Sequence, residues 1–296
     1  MTKYQQGRSV AATPIKQEGL LGIFNVQATR WKDKYPLVFV DLYAGSGRNV
    51  VGGESINGSP LSMLAGIHLA LTKSNTRPRF SWLIVFNDIA PGRATDLLPE
   101  NVKRWQEENG LPVDADTLTV TLKDGSDFLV PIQYRCGPSD DVVQAIRSAL
   151  DDGTKAHFVM LVDPNGPKDA PWPDLKAIWA AHGNYVDLVL HIAATMLKRC
   201  SRARDATGYD FAPMPDHIAG MLDLFRKSGG WIREPVGADQ WTIALICKYP
   251  PKQGWSTKTA SFHTIESRAG QETIKRLTYT KKELNHANKP LNQHAA

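Results

Sequence analysis

Four short polar stretches of this 296-residue chain each follow an apolar run, and each carries side chains that could hold a ligand. The first is Asp41-Leu42-Tyr43-Ala44-Gly45-Ser46-Gly47, behind Leu37-Val38-Phe39-Val40. It is an acid followed by a glycine-rich turn, where a ligand can approach the backbone with no side chain in the way. The second is Asn87-Asp88, behind Leu83-Ile84-Val85-Phe86, and a carboxylate there can accept both hydroxyls of a ribose. The third, Asp124-Gly125-Ser126-Asp127-Phe128, pairs an acid with a ring that could read and cover an adenine. The fourth, Asp163-Pro164-Asn165-Gly166-Pro167, is a rigid polar loop placed where a substrate would meet a cofactor. A nucleotide-like ligand suits this set. NAD does not, because Gly45-x-Gly47 is followed by Asn49 and Val50 and the next glycine is Gly52, which breaks the dinucleotide fingerprint.

Other chemistries find less support. Lys198, Arg199, Arg202 and Arg204 place four cations within seven residues, a cluster able to hold a phosphate backbone. The whole chain has 35 basic and 30 acidic side chains, a net charge of +5 that favours polyanions only mildly. Cys136, Cys200 and Cys247 stand far apart and form no C-x-x-C knuckle, so they read as reduced thiols and no metal site is expected. His68 and His191 sit in apolar stretches and read as core histidines satisfied by one backbone hydrogen bond, although His191, at a strand end facing the same rim as Asp163, could also touch a substrate. Ser59 and Ser126 lack a G-x-S-x-G elbow, which removes the hydrolase class.

The elements that must position these loops follow from the period of the apolar residues. Runs at 37–42, 82–86, 118–122, 158–162, 186–192 and 241–247 read as strands buried on both faces. Segments of helical period at 17–31, 60–71, 95–108, 140–150, 172–181 and 217–228 separate them, the fourth opening on the capping pair Ser139-Asp140. The alternation predicts an α/β chain with a mostly parallel, Rossmann-like sheet and helices on both faces. One domain is expected over 16–250, with a flexible N-terminal segment at 1–15 and a basic C-terminal extension at 251–296. No window holds the ~18 apolar residues of a membrane span. The start of the chain does not read as a secretory signal, and a cytoplasmic location is expected.

The order of glycine loop, ribose acid, adenine acid and active-site loop at four strand ends resembles the layout of class I S-adenosylmethionine-dependent methyltransferases. Within that class the chain is similar to the three-Cys-motif partner proteins of bacteria and their phages, over about residues 15–250. The resemblance is carried by Val40-Asp41-Leu42-Tyr43-Ala44-Gly45-Ser46-Gly47, Gly58-Ser59-Pro60-Leu61, Phe86-Asn87-Asp88, and Val162-Asp163-Pro164-Asn165-Gly166 with Pro171-Trp172. The family has a proline between the two glycines and an aromatic residue after Asp-Pro, where this chain has Ser46 and Asn165.

The resemblance implies S-adenosylmethionine as cofactor, held by Asp41, Tyr43, Gly45, Gly47, Asn87, Asp88, Asp124, Asp127 and Phe128. It implies methyl transfer with Asp163, Pro164 and Asn165 at the acceptor, and nucleic acid, DNA or RNA, as the acceptor class. In the Asp-Pro-Pro-aromatic loops of base amino-methyltransferases, the acid accepts a hydrogen bond from the exocyclic amine. Asp163 and Pro164 match that pattern, whereas Asn165 and Gly166 do not. The other reading is a non-catalytic protein of the same fold, serving a protein partner in a phage or defence system.

Overall fold

The computed structural model describes residues 13–90, 92, 96–164, 170–193, 230–234, 241–248, 255–256 and 261–278. Helix α1 (Thr13–Trp31) precedes strand β1 (Leu37–Asp41), and a hairpin of β2 (Arg48–Val51) and β3 (Glu54–Asn57) comes before α2 (Ser59–Lys73). Next come β4 (Trp82–Asp88), α3 (Leu98–Glu108), β5 (Thr117–Thr121), β6 (Asp127–Cys136) and α4 (Ser139–Asp151). Then follow β7 (His157–Val162), α5 (Trp172–His182), β8 (Val186–Ala193), β9 (Gly230–Arg233) and β10 (Trp241–Ile246). The last described elements are β11 (Trp255–Ser256), β12 (Ser261–Thr264) and a helix at Arg268–Thr278, α6.

Ten of the strands form one sheet in the order β11-β12-β9-β10-β8-β7-β1-β4-β6-β5. Its middle, β6-β4-β1-β7-β8, is parallel throughout. In order along the chain these are the third, second, first, fourth and fifth parallel strands, so the winding reverses between β1 and β7. That reversal opens a crevice at their carboxyl ends, the place where ligands bind in such sheets. β10 departs from simple doubly wound order by running antiparallel between β8 and β9.

Burial explains the run-like strands. Every residue of β7 is buried, and so is most of β1 and β4, because α1, α2 and α3 cover one face and α4 and α5 the other. The first layer packs Leu20, Phe24, Leu64 and Trp105 onto Phe39, Ile84 and Leu161. The second packs Val143, Ile146, Leu175 and Ile178 onto Val40, Met160 and Leu188. At the amino ends of the strands, Asp187 Oδ2 accepts hydrogen bonds from Gln27 (3.0 Å) and Trp31 (2.9 Å) and lies 2.9 Å from His157 Nε2. This buried polar knot locks α1 across β7 and β8.

The α1–α2 crossing depends on a missing side chain. A Cβ on Gly66 would sit 2.6 Å from the Leu21 carbonyl oxygen and 2.8 Å from Phe24 Cβ. In an open helix Gly→Ala gains about 1 kcal/mol. Here Gly66→Ala is expected instead to cost about 1 to 3 kcal/mol, because the added methyl forces two helices apart. Urea denaturation of the two proteins measures it, and an unchanged or raised midpoint would contradict the close crossing.

Besides the strands β2, β3, β6 and β9, which none of the six apolar runs announces, the fold departs from the sequence expectations in three places. β5 does not continue the parallel set: it turns back antiparallel onto β6, with Thr121 opposite Asp127. Helix α1 begins at Thr13, inside the stretch read as a flexible N-terminus. Within 251–296, β12 pairs with β9 and so belongs to the sheet, and α6 follows it. The helix expected at 217–228 lies outside the described residues.

Candidate functional site

The crevice between β1 and β7 gathers ionisable side chains from one face of the sheet. Asp41 is the last residue of β1, Asp163 follows β7, and His191 lies in β8. Val162 pairs with Leu190, so Asp163 and His191 come side by side, and both face α1. His191 Nδ1 lies 2.6 Å from Asp163 Oδ1. Lys16, from the first turns of α1, forms an ion pair with Asp163 Oδ2. The three side chains are only 14 to 16% exposed, so this is a largely dehydrated Lys–Asp–His chain. It corrects the reading of His191 as a core histidine on a backbone carbonyl: its partner is a carboxylate.

The electrostatics follow from that burial. Dehydration pushes the Asp163 carboxyl up, but the Lys16 ammonium and the His191 ring outweigh it and hold the group well below the usual carboxylate range. Burial, and then the Lys16 charge, push the His191 imidazole below its ordinary value against the pull of Asp163. Asp41 is different. Burial pushes its carboxyl up to about 7, opposed by the Ser59 hydroxyl and the Tyr43 amide, with Asp163 adding repulsion. Its Oδ1 accepts the Tyr43 N–H at 3.0 Å, while Oδ2 has no partner among the described residues.

On the other side of β1 the glycine turn is bound to the end of β4. The Gly45 N–H donates to Asp88 Oδ2 at 2.8 Å, and the Ala90 N–H donates to Oδ1 of the same carboxylate at 2.7 Å. Asn87 Nδ2 donates to the Leu42 and Gly137 carbonyls at 3.2 and 3.1 Å, so one amide ties together the ends of β1, β4 and β6. Its Oδ1 is buried with no partner among the described residues. Gly45 and Gly47 both take positive φ, 61° and 81°. A Cβ on Gly45 would meet only Asp88 Oδ2, at 4.0 Å, whereas a Cβ on Gly47 would meet Leu98 Cδ1 at 2.5 Å. Asn101 of α3 holds the turn by donating to the Ser46 carbonyl at 2.8 Å.

Three residues expected here are elsewhere. Asp124 lies in the β5–β6 turn and Asp127 and Phe128 open β6, and the antiparallel return places all three at the opposite end of the sheet. Cys136 pairs with Asp88, and Asp127 lies nine residues earlier on the same strand, about 30 Å away at ~3.3 Å per residue. Asp124 accepts hydrogen bonds from the Ser126 amide and hydroxyl, as a turn-forming aspartate does. Phe128 packs its ring 5.5 Å from Trp82 in the core. None of the three reaches the crevice, so none of them can touch a cofactor held there.

Ser139 and Asp140 are what the third parallel strand delivers instead. Ser139 Oγ lies 2.9 Å from the Tyr43 hydroxyl, and Asp140 is exposed at the start of α4. The signal was the Gly137-Pro138-Ser139-Asp140 break itself, read only as a helix cap. Lys16 carried no sequence signal at all, since a lysine in a helix's first turns reads as solvated. Of the remaining candidates, Asp41, Tyr43, Gly45, Gly47, Asn87, Asp88, Asp163 and Pro164 share the carboxyl-end rim. Asn165, Lys198, Arg199, Arg202 and Arg204 lie outside the described residues.

No protein-family model and no curated protein matches the chain. Solved structures overlay it at low similarity. A Legionella pneumophila protein has 9% identity and a TM-score of 0.45, covering 79% of this chain and 86% of its own. A putative class I S-adenosylmethionine-dependent methyltransferase from Listeria monocytogenes has 10% identity and a TM-score of 0.37, covering 81% and 63%. The small RNA methyltransferase HEN1 has 12% identity and a TM-score of 0.37, covering 90% and 29%. Among the described residues no helix is long and apolar enough to cross a membrane.

Proposed function

We propose that this chain is an S-adenosylmethionine-dependent methyltransferase with nucleic acid as its acceptor. One observation carries the reading: at the switch point of a doubly wound sheet, the two strand ends tied together by the glycine turn carry buried oxygens, Asp41 Oδ2 and Asn87 Oδ1, that have no hydrogen-bond partner among the described residues. Buried acceptors without donors are costly unless a ligand supplies the donors. S-adenosylmethionine does so, with an ammonium, two ribose hydroxyls and an adenine amine.

In this reading Asp41, Gly45 and Gly47 hold the amino-acid end. Asp88 keeps a lone pair on each oxygen beyond its two backbone bonds and takes the ribose. Ser139 and Asp140 replace Asp127 and Phe128 on the adenine side. The bound cofactor would supply an activated methyl group on a sulfonium. The protein's share is to orient the acceptor, exclude water and manage one proton. Asp163 acts through Lys16 and His191 as a positioning residue, with Pro164 and Asn165 beside the acceptor. The net charge of +5 and the Lys198, Arg199, Arg202 and Arg204 cluster support a polyanionic acceptor.

The test is direct. S-adenosylmethionine, or its demethylated product, is expected to bind the purified protein in a calorimeter and to raise its melting temperature, because a ligand that binds only the folded state stabilises it by RT ln(1 + [L]/Kd). No heat and no thermal shift at millimolar cofactor, in protein shown to be folded, would sink the methyltransferase reading and favour a non-catalytic protein.

A further inference from the structure

We propose a second binding site, independent of the methyltransferase reading: a cavity of about 400 Å³ at the amino ends of the strands that takes a nucleoside phosphate. It is lined by Arg30 and Trp31 from the last turn of α1, by Lys34 and Tyr35 from the connection to β1, and by Asn184 and Tyr185 just before β8. The crevice lies at the other end of the same strands, roughly 20 Å away at ~3.3 Å per residue along β7. Helix α1 reaches both places, with Lys16 at one and Arg30 at the other.

The charges of the walls call for an anion. The Arg30 guanidinium stands 4.5 Å from the Trp31 ring centre and the Lys34 ammonium 5.0 Å from it, so two like charges share one indole. Neither forms an ion pair with a carboxylate among the described residues, and neighbouring Asp33 pairs with Lys32 at 3.5 Å instead. Asp187 is buried, and its Oδ2 is already engaged by Gln27, Trp31 and His157. Arg30 Nη1 also reaches Cys247 Sγ at 3.8 Å. Burial pushes that thiol up to about 12, so it brings no negative charge. The helix dipole accounts for one cation in the last turn of α1. It does not account for Lys34, which lies beyond the helix and turns back onto Trp31. Two cations held this close repel each other, and a phosphate between them replaces that repulsion with charge-assisted hydrogen bonds.

The remaining space suits a ring. A bare phosphate fills only a fraction of the cavity, and Tyr35 and Tyr185 wall the rest, half-buried and edge to face with their ring centres 5.5 Å apart. Tyr35 lies 5.9 Å from Trp31, and Trp31 is stacked on His157 at 3.9 Å within the polar knot that locks α1. The rings are therefore held in place before any ligand arrives, and a base gains stacking contact at little cost in ordering the protein. Aromatic faces beside cations that take a phosphate are the pattern by which proteins hold unpaired nucleotides. No carboxylate lines the cavity, which leaves nothing there to attract a cationic ligand.

Calorimetric titration of the full-length protein tests this, with adenosine 5′-monophosphate as the probe. The nucleotide is expected to bind at least ~10-fold more tightly than adenosine or inorganic phosphate, and equally well with and without saturating S-adenosylmethionine. Lys34 is exposed, so Lys34→Gln is expected to melt with the parent while its affinity for the nucleotide falls about tenfold and that for adenosine holds. Tyr185→Leu is expected to weaken nucleotide and adenosine alike. An RNA pentamer separates the two sources of the ligand. Tighter binding than the mononucleotide, with a salt slope that flattens in Lys34→Gln, assigns the site to a single strand, and equal or weaker binding assigns it to a free nucleotide. The inference is overturned by no heat at millimolar nucleotide, by an unchanged affinity in Lys34→Gln, by phosphate or phosphotyrosine binding as tightly as the nucleotide, or by displacement of the nucleotide with S-adenosylmethionine. The two readings fail separately, because absent cofactor binding overturns the methyltransferase reading and leaves this site standing.

Discussion

Asp163→Ala is expected to cost about 3 to 5 kcal/mol of folding stability, the range for removing one partner of a largely buried ion pair. For a domain held together by about 5 to 15 kcal/mol this is a large fraction. The loss comes less from a missing attraction than from what is left behind. The Lys16 ammonium, 16% exposed, keeps its dehydration without its anion, and His191 loses the group that fixes its ring. Asp41 supplies only partial relief, because it lies near enough to feel Lys16 yet holds its own proton near neutrality. Removing the cation as well should therefore recover stability: Lys16→Met with Asp163→Ala is expected to cost clearly less than the sum of the two single changes. Urea denaturation of the four proteins closes the cycle, and simple additivity would show that the pair is not coupled. On the proposed function, Asp163→Ala also ends methyl transfer.

The second large effect is a pH dependence with an unusual sign. A carboxyl whose folded value is about 7, against 3.8 in the unfolded chain, is stabilised in its protonated form. Its contribution is complete below pH 4 and is lost as pH rises towards 7, because there the folded state binds a proton that the unfolded state has released. Spread over roughly three pH units at ~1.36 kcal/mol each, the loss is about 4 kcal/mol. Asp163 acts in the opposite sense, but only below pH 4, since its folded value is depressed. Between pH 4 and 7 the depressed imidazoles of His191 and His68 also act in the opposite sense, so the Asp41 contribution is read as the difference in slope between the parent and a variant without its carboxyl. Asp41→Asn is expected to remove that contribution and to be the more stable protein at pH 8. It should bind S-adenosylmethionine more weakly, having lost an anion that an ammonium would neutralise. Unfolding free energies of both proteins at pH 5, 6, 7 and 8 decide the matter, and parallel curves would contradict the buried position of Asp41.

What the sequence made legible was whatever is buried on two faces. β1, β4, β7, β8 and β10 read directly because Val38-Phe39-Val40, Leu83-Ile84-Val85 and Val159-Met160-Leu161 are continuous apolar runs. β6 escaped because it lies next to the sheet edge, alternates exposed and buried residues from Asp127 to Ile132 and carries Pro131, each of which argues against an interior strand. That one miss displaced the third loop. With β5 taken as the parallel strand, its turn at Asp124 looked like a ligand rim, although the chain still had to return along β6 before reaching the right end. The Asp41, Asp88 and Asp163 loops were found because strand-end acids follow apolar runs in sequence. The rim position of His191 was legible from its place at a strand end, but Lys16 and the link that joins it to Asp163 and His191 were not, because that link depends on α1 lying over β7 and β8, a long-range contact that no local spacing encodes.

The hairpin between the glycine turn and α2 makes a topological point. The Gly58 N–H donates to the Gly47 carbonyl at 2.6 Å, so the chain leaves and re-enters at one spot. A Cβ on Gly58 would stand 2.8 Å from that carbonyl oxygen, which fixes the closure to glycine. Residues 48–57 are thus a side branch. The route from β1 to α2 is complete without them, and the branch is moored to the body by Arg48 on Glu108 at 2.5 Å. Changes of length at its Gly52-Gly53 tip leave the register of β1 and the start of α2 untouched, as loop tips generally allow. Residues can be added or removed there without disturbing the crevice beneath, which makes the branch the place in this chain where length is least constrained.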